Sequence, residues 1–300
     1  MVHRSRFVAV LCCLQVVLLL SCSKNNEVQE EETSSATALN PILRTYDPVM
    51  LASPYGPRLL GGSYDFHSGV DMAHPTGTPV HAILDGKVVR AETAQPGSTL
   101  ERYGQFVVIS HDPFDEVELH QTVYLHLSET LVKVGDEIKQ GDVIGKVGNT
   151  GVNINTEHLH FEYHIGENSG AIRRSNARHP LRILPYQSKS AVVDISKTNN
   201  ELTITVVQVK SSMDLVSITI SPMGHESKRI DFETLEGINK ENVDVVPYQG
   251  IDIIPSPFNS VSSQMVLTFK VEGVWTDLEG VAVKLVNAKG KAQEFIHKFQ

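Results

Sequence analysis

The sequence predicts an all-β chain: an antiparallel β-sheet domain followed by a smaller β-sandwich. Three observations predict it. Between about Tyr46 and Gln187, short apolar runs alternate with turn residues, and Gly86, Gly104, Gly135, Gly141, Gly145 and Gly148 punctuate them. No segment there sustains a 3.6-residue apolar period over three turns. From about residue 188 onward, β-branched residues alternate in short runs such as Leu202–Val206, Val216–Ile220 and Met265–Val271.

The first residues read as an export signal. His3, Arg4 and Arg6 precede an apolar run from Phe7 to Leu20, broken only by Gln15. At 1.5 Å per residue that run reaches ~21 Å, too short for a ~30 Å hydrocarbon core but suited to a signal h-region. It ends in Leu19-Leu20-Ser21-Cys22, which resembles a bacterial lipobox. Cys12 and Cys13 lie inside this leader, so cleavage before Cys22 leaves one cysteine and no internal disulfide. A lipid on Cys22 explains that leftover thiol; the alternative is an ordinary signal peptide with an incidental cysteine. Residues 1–21 are therefore expected to be a lipoprotein signal peptide. The chain is expected to be exported and lipid-anchored in the cell envelope. Residues 22–45 carry Glu27, Glu30, Glu31 and Glu32 and are expected to form a disordered acidic tether. A net charge of −9 argues against a nucleic-acid partner, which would want a basic face.

Residues 46–187 are expected to form the first folded domain. Its runs are Val80–Ala91, Gln105–Ser110, Thr122–Leu127, Asp142–Val147 and Leu159–Ile165. Val134–Gly145 repeats an apolar-Gly-Asp pattern that suggests strand, turn, strand. Residues 188–300 are expected to be a β-sandwich that closes with Val281–Val286 and Ala292–Phe299 about a turn at Asn287–Gly290. With only His225 and His297 it shows no chemistry. It is a place for a protein partner or the cell wall, or a brace for the first domain.

The histidines concentrate before residue 180: all 13 except His225 and His297. His67 and Asp71 stand four apart. A straight strand would separate them by ~13 Å, whereas ligands of one metal lie within ~4 Å of each other. The chain must bend between them, and Gly69 is where it can. In His158-Leu-His160-Phe-Glu162 the polar residues share one strand face, with Leu159, Phe161 and Tyr163 on the other. The polar face suits a metal or catalytic groove, since two imidazoles in an apolar core would lack partners. In Tyr124-Leu-His126-Leu127 the leucines are expected inside and Tyr124 with His126 on the groove face. His74, His81, His111, His120 and His164 read as structural or surface residues. On spacing alone, His158 and His160 both reach a metal held by His67 and Asp71. That closed site would be structural, whereas a catalytic one keeps a position for water.

Taken in order, these blocks closely resemble the lysostaphin-type, LytM-family zinc metalloendopeptidases. The resemblance runs from Ser53–Arg58 through His67–Asp71, Pro75–Val80, Asp85–Val89 and Tyr124–Leu127 to Val134–Gly145 and His158–Glu162. It implies Zn2+ held by His67, Asp71 and His160, with His126 and His158 catalytic. It also implies a substrate of peptidoglycan stem-peptide cross-links. With a Gram-negative type of anchor, those cross-links make D,D-endopeptidase the favoured activity. Glu162 is a candidate partner of a ligand. Two departures are visible: Thr156-Glu157 stands where the family commonly has Gly-Pro, and Pro113–His120 is longer than the usual connection. Two rivals remain. One is a domain without catalysis that binds cell wall and activates an amidase, which loss of a ligand would mark. The other reads Val134–Gly145 as a lipoyl-like or secretion-adaptor hairpin, which leaves the histidines unexplained.

Overall fold

A computed structural model describes residues 37–111, 119–166, 170–235 and 245–300. The signal-peptide and lipid-anchor expectations, Cys22 included, and most of the Pro113–His120 connection lie outside the described residues. No helix of the described residues is long and apolar enough to cross a membrane.

Twelve short strands build the first domain. They are β1 (Gly56–Leu60), β2 (Ser63–His67), β3 (Val70–Met72), β4 (Pro79–His81), β5 (Gly86–Thr93) and β6 (Gln105–His111). Then follow β7 (Leu119–Leu127), β8 (Glu129–Thr130), β9 (Glu137–Ile138), β10 (Val143–Lys146), β11 (Leu159–Gly166) and β12 (Ala177–Arg178). The principal antiparallel sheet runs β12-β11-β7-β6-β5-β9, with β3 paired to β11 beside β12. A hairpin β1-β2 and a small sheet β4-β10-β8 complete it.

The principal sheet is covered on both faces. Tyr124, Phe161, Val107 and Ile109 enter the main core, while Phe106, Val108, Val123 and Leu125 form a separate apolar cluster. Period-2 alternation therefore puts apolar residues on both sides of β6 and β7. This corrects the expectation for Tyr124: it is fully buried in the main core and its hydroxyl accepts from Ile83 N at 3.2 Å. It does not face the groove.

Three further readings change. Val80–Ala91 is two strands, β4 and β5, with a turn between them. Val134–Gly145 does hold strand, turn, strand, as β9 and β10, but the two do not pair as a hairpin, because β9 pairs with β5 whereas β10 pairs with β4 and β8. Its repeat is a repeated turn. In Lys133-Val-Gly-Asp136 and Lys139-Gln-Gly-Asp142 the aspartate carboxylate accepts from the lysine backbone N–H, at 3.0 and 2.8 Å, and each glycine takes a positive φ. The end of the expected tether also packs: Ala38, Leu39, Asn40 and Ile42 are buried, and Leu39 N donates to Ile83 O. The run Ala38–Leu43 is apolar enough to join the core, and an acidic segment ahead of it masked that signal.

The sandwich has two antiparallel sheets. One runs β13 (Val192–Lys197), β14 (Glu201–Val209), β19 (Gln264–Glu272), β18 (Ile251–Pro255) and β17 (Val246–Tyr248). The other runs β16 (Lys228–Asp231), β15 (Leu215–Pro222), β20 (Gly280–Asn287) and β21 (Ala292–Lys298). Alternation is strict: Leu202, Ile204 and Val206 of β14 turn inward beside Leu267, Phe269 and Val271 of β19. One apolar cluster continues from the first domain into this sandwich.

At that junction His179 is fully buried. Its Nδ1 accepts from Leu181 N at 3.2 Å, and its ring lies 4.9 Å from that of Tyr55. Its backbone N–H donates to Glu233, which also takes the Arg182 guanidinium at 2.7 and 2.9 Å. Burial pushes the His179 pKa down to about 3, below the ~6.5 of an unfolded chain. The unfolded state takes up a proton first, so this contribution is intact above pH ~6.5 and is lost as pH falls toward 3. By pH 5 roughly 2 kcal/mol of it has been lost, at 1.36 kcal/mol per pH unit. Urea unfolding at pH 7 and pH 5 is expected to show a smaller acid loss for His179→Gln than for the unsubstituted protein; equal losses would remove His179 from the account.

Candidate metal centre

Strand β2 delivers His67 and β3 delivers Asp71, with a bend at Ser68-Gly69 between them. The bend brings His67 Nε2 to 3.2 Å from Asp71 Oδ1. Glycine at 69 is required by contact rather than by backbone angle. A Cβ there would lie 2.5 Å from Phe161 O and 2.6 Å from His160 Nε2.

Register supplies the third donor. Asp71 on β3 lies directly opposite His160 on β11, and opposed residues of an antiparallel pair share a face. His160 Nδ1 consequently sits 2.8 Å from Asp71 Oδ1 and 3.1 Å from His67 Nε2. Among the described residues, His67, Asp71 and His160 form a group whose donor atoms all lie within 4.8 Å.

Each imidazole is held by an oxygen that can only accept. His67 Nδ1 meets Pro54 O at 2.7 Å, His158 Nδ1 meets Thr156 O at 2.9 Å, and His126 Nδ1 meets Thr150 O at 3.1 Å. Those nitrogens must carry the hydrogen, so in the neutral rings each Nε2 keeps its lone pair. His160 is turned the other way: Nε2 faces Glu162 Oε1 at 3.1 Å and Nδ1 faces the cluster. Glu162 is buried and fully engaged, accepting from Ser68 Oγ at 2.7 Å and from His164 Nε2 at 2.8 Å.

His126 reaches this face because the sheet is irregular there. A regular β7 would send His126 to the side opposite Leu125. Instead His126 takes φ 63°, and the β6–β7 register slips between Gln105 and Val107. Such a bulge re-aims a side chain. The His126 ring centroid ends 4.8 Å from that of His158 and 5.6 Å from that of His160. His158 Nε2 lies 3.6 Å from Asp71 Oδ1, at the rim of the three-atom group.

The charges are tightly coupled. Burial opposes ionisation of Asp71 and Glu162, yet their histidine partners hold both carboxyls well below the usual range. Burial also opposes a charged His160, but hydrogen bonds to Asp71 and Glu162 prevail and raise its pKa to about 9. His67 is lowered by burial and by Arg58. His126 is lowered to about 3 by burial and by the neighbouring His160 and His158, so it is neutral at physiological pH.

All five sequence-derived positions are thus brought together. Comparison with known proteins points the same way: residues 65–172 match peptidase family M23. Residues 65–172 are a peptidase family M23 domain. Lysostaphin of Staphylococcus simulans is 38% identical over 130 residues, which are 43% of this chain and 24% of the relative. The peptidoglycan DD-endopeptidase ShyC of Vibrio cholerae is 36% identical over 116 residues, 38% of this chain and 24% of the relative. The chain therefore spans about a quarter of the length of these relatives. The solved catalytic domain of the Staphylococcus simulans lysostaphin is 37% identical, matches 43% of this chain and 86% of that one, and superposes with a TM-score of 0.36. Metallopeptidases of family M23 use zinc.

Several supporting residues of this M23 site escaped the sequence reading. His164 continues the alternation His160, Glu162 on β11, a signal that was available but was read as structural or surface. Ser53 and Arg58 lie in a block that carried the family resemblance without an assigned role. Ser53 bridges to Asp71 through backbone hydrogen bonds, and Arg58 donates to Ser53 Oγ at 2.6 Å. Thr150 comes from a loop 24 residues beyond His126, a proximity nothing local encodes. His111 and His120 are buried in hydrogen bonds away from the cluster, to Asp85 O and Tyr163.

Gly69→Ala tests the close approach directly. The added methyl must displace His160 or the Phe161 carbonyl, so metal content is expected to fall sharply even in the fraction that stays folded. Full metal occupancy in that variant would show that the approach is not needed.

Proposed function

We propose that residues 46–187 act as a zinc-dependent endopeptidase on the peptide cross-links of peptidoglycan, with a D,D-bond as the favoured target. The observation that carries this is the convergence of three donor atoms beside two further histidines whose Nε2 lone pairs are free. The donors fit zinc in type and spacing. Separations of 2.8, 3.1 and 3.2 Å approach the ~3.3 Å edge of a tetrahedron built on zinc–ligand distances of ~2.0–2.1 Å. A zinc ion held there would polarise the scissile carbonyl and acidify a water molecule.

The chain's own residues supply the rest. His126 and His158 present Nε2 to the groove, so one accepts the proton of the attacking water and either can pass a proton to the leaving amine. Their Nδ1–H bonds to Thr150 O and Thr156 O hold the rings through that transfer. Asp71 and Glu162 add negative charge that favours a bound cation and fix the rotation of His160. A domain that only binds cell wall would tolerate loss of a ligand, and the five positions are all present here. The D,D preference rests on the lipobox reading and on relatives named as peptidoglycan DD-endopeptidases.

Zinc analysis of alanine variants separates the roles. His160→Ala is expected to lose metal and activity together. His126→Ala and His158→Ala are expected to keep about one zinc per chain and lose ~10²–10⁴-fold in rate. Their losses should be strongly non-additive, since both act on one transition state. If His158→Ala loses its metal while His126→Ala retains it, the site is a closed four-ligand one and the enzyme reading falls. Mass spectrometry of digested peptidoglycan, reading the new amine and carboxyl ends, then names the bond.

The lipid anchor is a separate proposal. Cys22→Ser is expected to move the protein from the membrane fraction to the soluble one. A variant that still sediments with membranes after a salt wash would refute lipidation at Cys22.

A further inference from the structure

The β-sandwich reaches the neighbourhood of the metal centre through the Phe258 ring, which meets Arg58. After β18 the chain runs along β1 of the catalytic domain: Pro257 bridges Leu59 in parallel, and Phe258 N donates to Leu59 O at 2.7 Å. The Phe258 ring then lies under the guanidinium of Arg58, whose Cζ is 5.5 Å from the ring centroid. A second cation approaches the same ring, Lys210 Nζ at 5.6 Å. Lys210 is buried, and its ammonium also donates to Asn259 O at 3.0 Å and Ser260 O at 2.8 Å. It thereby clamps the backbone that follows Phe258. The turn is built to hold the ring in place.

Arg58 carries that position inward. Its Nε donates to Asp65 at 2.7 Å and one terminal nitrogen donates to Ser53 Oγ at 2.6 Å. The same terminal nitrogen is 3.8 Å from Asp71 Oδ2, the oxygen turned away from the histidines. Ser53 pairs with Asp71 through the backbone, and its hydroxyl lies 3.5 Å from His67 Nδ1. Arg58 thus borders Asp71 directly and reaches His67 through the Ser53 hydroxyl.

We infer that Phe258 of the sandwich is a positioning residue for the metal centre: it holds Arg58 against Ser53 and Asp71, so the C-terminal domain sets how the catalytic domain grips its metal. The aliphatic part of a side chain at 258 would fill the same space, but only an aromatic face attracts the guanidinium, which stacks on a ring as a flexible ammonium does not. The sandwich is then a working part of the M23 site rather than a separate module. This inference rests on the zinc reading above.

Zinc affinity of the full chain, measured by competition with a chromophoric chelator, tests it. Partners that orient a ligand typically cost 10–100-fold in metal affinity when removed. Arg58→Ala is expected within that range and Phe258→Leu, which keeps apolar volume without a ring, about tenfold weaker than the unsubstituted chain. Phe258→Trp is expected to restore binding. The pair Arg58→Ala and Phe258→Leu should be non-additive, since the ring acts through the guanidinium. If Phe258→Leu lowers Tm but binds zinc as tightly as the unsubstituted chain, or if the two losses add, Phe258 is only packing and the inference is wrong. If the unsubstituted chain itself binds no zinc, it is the metal reading that fails.

Discussion

The site depends on one constraint: every imidazole in it is pinned by an acceptor oxygen on one nitrogen. A histidine free to rotate or exchange tautomers would offer its lone pair to the cluster only part of the time. Pro54 O, Thr150 O and Thr156 O each force a hydrogen onto Nδ1 of one ring and clear Nε2. Three carbonyls, one ahead of β1 and two on the β10–β11 connection, must therefore be placed to within a few tenths of an ångström. Loops alone do not hold backbone that closely. The principal sheet does, because it is packed on both faces and its neighbouring turns are tied back by side chains, as in the two Lys-x-Gly-Asp turns.

Two local irregularities follow from that demand. A regular β7 could not place His126 beside His158, and the bulge at φ 63° does so. Glycine at 69 gives up side-chain packing so that His160 and the Phe161 carbonyl can come close. Both departures from regular structure place a group at the metal centre, and neighbours hold them there. Here Leu125 and Leu127 provide that support, one in each apolar cluster on either side of the sheet.

How much of this was legible in the sequence depended on the distance over which the signal acts. Strand alternation is local, so β14, β15, β19, β20 and β21 could be read from their β-branched runs. The site histidines were legible because order and spacing along the chain survive folding. Tyr124 was misplaced because alternation identifies two faces without saying that both are buried. The bulge at His126 has no composition of its own, since positive φ is uncommon for any single non-glycine residue. Glu162 could be paired with a ligand from its place on β11, but the three donors converging on it could not. Thr150, Pro54 and Phe258 act across 13 residues or more, and only the fold reveals such pairs.

The charge pattern explains why the centre combines two carboxylates with its histidines. Glu162 and Asp71 flank His160 at 3.1 and 2.8 Å on opposite nitrogens. Two buried anions would be costly alone. A positive charge between them offsets much of that cost, which is why His160 holds a proton up to about pH 9 in the protein as described. A dication beside Asp71 would satisfy the same field with more charge and release that proton from Nδ1, while Nε2–H stays on Glu162. The carboxylate behind the ligand thus does two things. It offsets the charge of the buried ring, and it fixes which His160 nitrogen faces the cluster.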